Sequence, residues 1–267
     1  MKKILIIGKR GFIGKSLYQY LKRYFYIEII SFKDLTKFKK KINNFNFIIN
    51  TSINKKYIYN KYNSNYDNDL QISRNIRNKE TIYCFISTRK VYPNKPNLKE
   101  NTKPYPSDNY GKNKLITEQR LKKKIKDNLL ILRVSNIIGD IKSTKRVHKT
   151  FVDIFLENAK NGIIFNNGVI YKDFLSIDKF CEIVKCMIRK KILGTYNVSI
   201  GQKIYVNDLI SWLNKYNGLA IINNGIKLNK SDSFYLNNKK LMSKIKIKNT
   251  ISELQKYCYK FSKKQFS

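Results

Sequence analysis

Lys3-Ile4-Leu5-Ile6-Ile7-Gly8-Lys9-Arg10-Gly11-Phe12-Ile13-Gly14 is the stretch on which the fold is read. Four consecutive aliphatic residues ending at a glycine read as a strand buried on both faces, the habit of parallel sheets. Glycines at 8, 11 and 14 follow at GxxGxxG spacing, and Leu17, Leu21 and Tyr24 then share one face of a helix expected over 13–24. Strand, glycine turn and helix in that order form a phosphate cradle. The first glycine permits the tight turn, the second lets backbone approach a pyrophosphate, and the third allows helix and strand to pack closely. The positive end of the helix then faces the phosphates. Gly8, Arg10, Gly11, Phe12, Ile13 and Gly14 are therefore expected to bind a dinucleotide.

Outward from this unit the same alternation continues. Strands are predicted at 27–31, 45–50, 81–86 and 129–134, with helices at 67–77 and 110–126. This is an α/β chain with a doubly wound parallel sheet, a Rossmann fold. After Gly139 the pattern loosens: a helix at 152–159, a strand at 174–177, a helix at 178–190, a strand at 194–198, a helix at 206–216, then short lysine-rich elements. Residues 1–140 are read as the core, completed by about 170–200. Residues 141–169 and 201–267 are read as a small interleaved substrate lobe.

The second strand should end beside the adenosine ribose, where a carboxylate selects NAD and a cation selects NADP. Here Ser31 and Lys33 stand at that end, and Arg10 reaches from the glycine turn, so NADP(H) is expected, with NAD(H) the alternative.

Of 267 residues, 42% are hydrophobic, which excludes a disordered chain. The formal charge is +37, from 55 Lys and Arg against 18 Asp and Glu. The excess is nearly all lysine, spread end to end with Asn and Ile as an AT-rich coding bias would produce. No specific nucleic-acid partner is expected, although a basic surface attracts polyanions in general. No apolar stretch approaches the roughly 18–20 residues of a membrane span. The run after Met1-Lys2-Lys3 is too short for a signal-peptide core. Cys84, Cys181, Cys186 and Cys258 form no CxxC pair, and His148 is the sole histidine, so no metal site is expected. A reducing, cytoplasmic setting follows.

Tyr110-Gly111-Lys112-Asn113-Lys114 places a phenol and an ammonium four residues apart, on one helix face. A phenol of pKa about 10 needs such a cation to exchange protons near neutrality. Upstream, Ser87 and Thr88 close the strand at 81–86, and a hydroxyl there borders the cofactor crevice.

Glycine turn, strand-end hydroxyl, then Tyr and Lys: in this order the chain resembles the extended short-chain dehydrogenase/reductases, in particular the NAD-dependent epimerase/dehydratase family acting on nucleotide sugars. Glu118 completes YGxxKxxxE. Arg133, Asn136 and Gly139 match LRxxNxxG, 171–178 resembles RDFxHVDD, and 194–198 resembles GxYNV. The resemblance implies an oxidoreductase with Thr88, Tyr110 and Lys114 as catalytic residues. Tyr110 would move the proton, Thr88 would polarise the sugar oxygen, and Lys114 would hold the nicotinamide ribose. Lys172 would face the diphosphate of the substrate, and Asn136 would line the pocket. Many relatives pair through long helices such as the one starting at Tyr110, so a homodimer is one state open to this chain. Dehydratases of the family carry an acidic pair after the catalytic Thr. Arg89 and Lys90 stand there instead, which argues against dehydration. The expected activity is NADPH-dependent reduction of a 4-keto nucleotide sugar. A 4-epimerase with retained dinucleotide, or a non-enzymatic NADP-binding regulator, are the alternatives.

Overall fold

The computed structural model describes residues 1–139, 151–166, 169–219, 222–225 and 232–266. His148 lies outside the described residues. Among the described residues the strands are β1 (Lys3–Ile7), β2 (Tyr26–Ile30), β3 (Phe47–Asn50), β4 (Ile82–Thr88), β5 (Leu129–Val134), β6 (Asn136–Ile138), β7 (Ile163–Asn166), β8 (Tyr171–Lys172), β9 (Phe174–Ser176), β10 (Gly194–Val198), β11 (Ile204–Tyr205) and β12 (Ile222–Gly225). The helices are α1 (Phe12–Leu21), α2 (Leu35–Phe38), α3 (Lys55–Tyr59), α4 (Asn68–Ser73), α5 (Asn109–Ile125), α6 (Phe151–Ala159), α7 (Ile177–Arg189), α8 (Val206–Leu213), α9 (Lys239–Met242) and α10 (Ile251–Phe266).

Six strands form one sheet in the order β10-β5-β4-β3-β1-β2, every neighbouring pair parallel. Because side chains alternate along a strand, each strand feeds two cores. Ile4 and Ile6 pack with Leu17 and Leu21 of α1 and with Phe180 and Val184 of α7. Leu5 and Ile7 pack with Ile72 of α4 and Leu121 of α5. Both faces are thus covered by helices, and the all-apolar strands predicted from the sequence are the result. From β1 the chain runs first outward to β2, then back past β1 to β3. The strand order therefore reverses between β1 and β3, and ligands of open α/β sheets bind at such a reversal.

Several boundaries differ from the sequence reading. Helix α1 stops at Leu21, where the Lys22 amide closes on the Tyr18 carbonyl, and Tyr24 lies outside it, exposed. The expected helix at 67–77 is only α4: Asp67 is its cap, accepting the Leu70 amide at 3.0 Å, and after Ser73 the chain tightens into turns in which the Asn75 and Ile76 amides donate to the Ile72 and Ser73 carbonyls at 3.0 and 3.3 Å. Strand β4 extends to Thr88, so both hydroxyls are strand residues. The tail holds a 16-residue helix where only short elements are expected. Its buried Leu254, Cys258 and Phe261 form an apolar stripe interrupted by lysines. Thr250 and Glu253 start it with reciprocal side-chain-to-amide bonds of 3.1 and 3.3 Å.

The remaining strands pair in twos: β6 with β9, β7 with β12, and β8 with β11. Asp173, between β8 and β9, is fully buried and accepts the amides of Ile200, Gly201 and Leu236 at 3.1 Å each. It ties the end of β10 and the tail to the core. Among the described residues no helix is long and apolar enough to cross a membrane, and no group of metal-ligating side chains occurs.

Candidate active site

The glycine turn sits at the strand reversal. Gly8 adopts φ +131°, open to glycine alone. Its amide and that of Lys9 both donate to the Ile30 carbonyl, at 2.8 and 3.0 Å, which clamps the turn to the end of β2. A side-chain carbon on Gly14 would collide with the Gly8 carbonyl and the Thr51 hydroxyl. The start of α1 is therefore pressed against the β1 and β3 ends, and its first turn carries no acidic residue to neutralise its positive end. Phe12 and Ile13 are half-buried, with Phe12 against Gly139. The turn brings exposed Arg10 to the end of β2, from which Ser31 and exposed Lys33 follow. This cradle, which a side chain at 8 or 14 would fill, fits a dinucleotide.

At the next strand ends the sequence reading missed a polar set. Asn50 accepts from the Ser52 amide and hydroxyl at 2.9 and 2.6 Å, and Asn68 donates to that hydroxyl at 3.0 Å. Asn50-Thr51-Ser52 directly after a buried apolar strand is a signal that would have found it.

Helix α5 meets the end of β4 through Gly111, where a side-chain carbon would strike the Lys90 carbonyl. That glycine explains the second position of the YGxxK motif. Asp108 caps α5 by accepting the Gly111 amide at 2.7 Å, and its other oxygen takes the Lys90 ammonium at 2.7 Å. The Lys90 ammonium stands 5.9 Å from the Tyr110 ring centre. Thr88 is buried, and its hydroxyl oxygen accepts the Lys90 amide at 3.3 Å. Lys114 is 6% exposed, donates to the Ile86 carbonyl at 2.9 Å, and lies 3.8 Å from the Asp69 carboxylate.

Among the described residues the Tyr110 hydroxyl has no hydrogen-bond partner. Loss of hydration raises its pKa above the ordinary value; Lys114 pulls it down, while Asp69 and Asp108 push it further up. The expected depression by Lys114 is thus present but outweighed in the protein alone. Asp69 is itself pushed up to about 6 by burial, against the pull of Lys114. It also accepts the Tyr83 hydroxyl at 2.8 Å.

Glu118 and Arg133, matched above by motif, form a buried brace. The Glu118 carboxylate receives Arg133 Nη2 at 2.6 Å and Nε at 3.0 Å, and the Ser87 hydroxyl at 2.5 Å. Arg133 also donates to the Tyr92 hydroxyl at 2.7 Å. This locks α5 to β4 and β5 one turn beyond Lys114 and one residue before Thr88. Asn136 spends its amide on the Asp173 carbonyl at 3.1 Å. Lys172, on β8, lies within electrostatic reach of Arg89 and Lys90, and burial followed by those two charges lowers its pKa. A recess of about 900 Å³ elsewhere, lined by Asn97, Lys99, Glu100, Gly201 and Asn238, includes none of the predicted catalytic residues.

The sequence profile of the NAD dependent epimerase/dehydratase family matches residues 4–199. The chain belongs to that family. Members of the NAD dependent epimerase/dehydratase family are enzymes, and the solved structures of the same fold include nucleotide-sugar epimerases, dehydratases and reductases. UDP-N-acetylglucosamine 4-epimerase from Methanobrevibacter ruminantium M1, in complex with UDP-N-acetylmuramic acid, superposes with a TM-score of 0.79 at 18% identity, over 98% of this chain and 97% of that one. A dTDP-4-dehydrorhamnose reductase from Clostridium acetobutylicum ATCC 824 gives 0.75 at 18% identity, over 96% and 98%. A dTDP-glucose 4,6-dehydratase from Bacillus anthracis str. Ames, in complex with NAD, gives 0.75 at 16% identity, over 99% and 97%. No curated protein sequence matches this family member.

Proposed function

We propose that this epimerase/dehydratase-family chain is an NADPH-dependent reductase of a 4-keto nucleotide sugar, with Thr88, Tyr110 and Lys114 as its catalytic residues. The observation that carries the reading is the state of Tyr110. Its phenol, protonated at neutral pH as any phenol is, holds its proton more firmly through burial, lies within electrostatic reach of the buried Lys114, and has the Lys90 ammonium 5.9 Å from its ring centre. A protonated phenol is the donor that carbonyl reduction requires.

Gly8, Gly11 and Gly14, with Phe12 and Ile13 in the first turn of α1, would hold a nicotinamide dinucleotide, which when bound would supply the hydride. Arg10, Ser31 and Lys33 take the ribose 2′-phosphate that marks NADP. Tyr110 gives its proton to the carbonyl oxygen as that oxygen becomes negative. Thr88, whose oxygen is already an acceptor for the Lys90 amide, has its own proton free to donate to the same oxygen. Lys114 then faces a tyrosinate, whose charge it stabilises, and it binds the nicotinamide ribose. Asn136 and Lys172 line the substrate side, Lys172 toward the diphosphate. Residues 141–169 and 201–267 act as the substrate lobe on a core of 1–140 completed by 170–200.

A cytoplasmic setting accords with the four cysteine thiols, three of them buried. The exposed face of α5 carries Lys112, Arg120, Lys122, Lys123 and Lys124. A homodimer through that helix would bring these like charges together, so its assembly should strengthen with salt.

Purified protein with candidate 4-keto nucleotide sugars should consume NADPH, and Tyr110→Phe should stop consumption while still binding the dinucleotide. Isomerised sugar without NADPH consumption would make the protein an epimerase instead. Unchanged turnover in Tyr110→Phe would remove the phenol from the mechanism.

A further inference from the structure

Arg89 is half-buried, and the part of its guanidinium that is buried is poorly paired. Its guanidinium lies 3.9 Å above the Phe234 ring, donates once to Asn94 at 2.5 Å, and leaves Nε buried with no hydrogen-bond partner. Among the described residues no carboxylate lies within ion-pair distance of it. Burial drives its pKa down to about 10, against the weaker pull of Asp108 and Asp232. Lys172, half-buried, also has its charge disfavoured, first by burial and then by Arg89, with Asp232 opposing and Lys90 adding a smaller push. Lys90, the third cation, is held by Asp108 at 2.7 Å. Asp232 attracts Arg89 and Lys172 without touching either.

Buried charges are ordinarily paired, because the desolvation of an unpaired ion outweighs what packing returns. Two underpaired cations and a third beside them make a place that an anion would stabilise. Its position narrows the choice of anion. Arg89 and Lys90 directly follow Thr88 in one 3₁₀ turn, and the Lys90 amide is bonded to the Thr88 hydroxyl. The Lys90 ammonium also overhangs the Tyr110 ring. A group seated on this turn is therefore attached close to the carbon whose oxygen Thr88 and Tyr110 hold, on the sugar ring itself.

We propose that Arg89 and Lys90 bind a carboxylate carried by the sugar next to its reacting carbon, so that the substrate is a nucleotide-linked acidic sugar. This rests on the reading of Tyr110 and Thr88 given above. The diphosphate of the same substrate is the competing source of negative charge, and it falls to Lys172.

Protein loaded with NADP is titrated by calorimetry with UDP-glucuronic acid, UDP-glucose and UDP, using wild type, Arg89→Gln, Lys90→Gln and Lys172→Gln. Charge-assisted hydrogen bonds predict a preference of about tenfold to a hundredfold for the uronate over the neutral sugar in wild type. Arg89→Gln and Lys90→Gln should abolish that preference and leave UDP binding unchanged. Lys172→Gln should weaken all three ligands alike. Lys90 is partly exposed, so its variant keeps the test valid if Arg89→Gln does not fold. Equal affinity for the two sugars, or a preference that survives both variants, overturns the carboxylate assignment alone. Loss of UDP binding in Arg89→Gln or Lys90→Gln assigns these cations to the diphosphate and also overturns it. No binding by wild type of these three, nor of dTDP- and GDP-linked sugars run in parallel, overturns this proposal together with the nucleotide-sugar reading.

Discussion

Glu118→Gln tests whether the brace beneath the candidate site is structural. Glu118 and Arg133 are 1% and 3% exposed, so neither charge is offset by water. The carboxylate accepts Arg133 Nη2 at 2.6 Å, Arg133 Nε at 3.0 Å and Ser87 Oγ at 2.5 Å. An amide of the same shape leaves a buried guanidinium without its counter-charge and turns one acceptor into a donor facing donors. Breaking a buried pair on one side costs about 3–5 kcal/mol. For a chain of this size each kcal/mol moves the melting temperature by about 2–4 °C, so the shift should be roughly 6–20 °C. Thermal unfolding measures that shift, and urea unfolding, read at constant m, measures the free-energy loss itself. Arg133→Met should cost a comparable amount. The double variant should cost clearly less than the sum, because each single change strands the other partner. A Glu118→Gln loss under about 1 kcal/mol, or strictly additive changes, would refute the brace, since either outcome means that the charges were never dependent on each other.

Three further outcomes follow from the same geometry. Gly14→Ala should destabilise the protein by about 1–3 kcal/mol and weaken dinucleotide binding, as seen by melting and by NADPH fluorescence titration, because the added methyl has only the Gly8 carbonyl and Thr51 hydroxyl to meet. Replacing Arg10 and Lys33 together by Gln should cost NADPH affinity and leave NADH affinity unchanged; equal losses for both coenzymes would show that these cations do not read the 2′-phosphate. Asp69 has a folded-state pKa of about 6, above its ordinary value, so the native state binds the extra proton. Its burial therefore costs nothing at low pH and destabilises progressively as pH rises through about 4 to 6, then no further. Asp69→Asn should consequently compare better with wild type at pH 7 than at pH 4 in urea unfolding; a pH-independent difference would count against the raised pKa.

How much of this was legible beforehand differs by residue. The glycine turn and β1 declared themselves because their logic is local: four apolar residues, then glycines at positions the turn itself demands. Tyr110 and Lys114 were legible for the same reason, being four apart on one helix. The long α10 was not, since lysines break up its apolar stripe, and α4 was overextended because nothing in residues 74–77 marks the change from helix to turns that follows Ser73.

The sequence by itself determined the parallel α/β order, the cradle and the Tyr–Lys spacing, because each depends on neighbours within a few residues. Only the tertiary structure decided which charges meet. Asp69 reaches Lys114 across 45 positions, Glu118 finds Arg133, and Lys172 comes to Arg89 and Lys90 from another strand pair. Such pairings arise from strand order and helix docking, and local patterning carries no term for them.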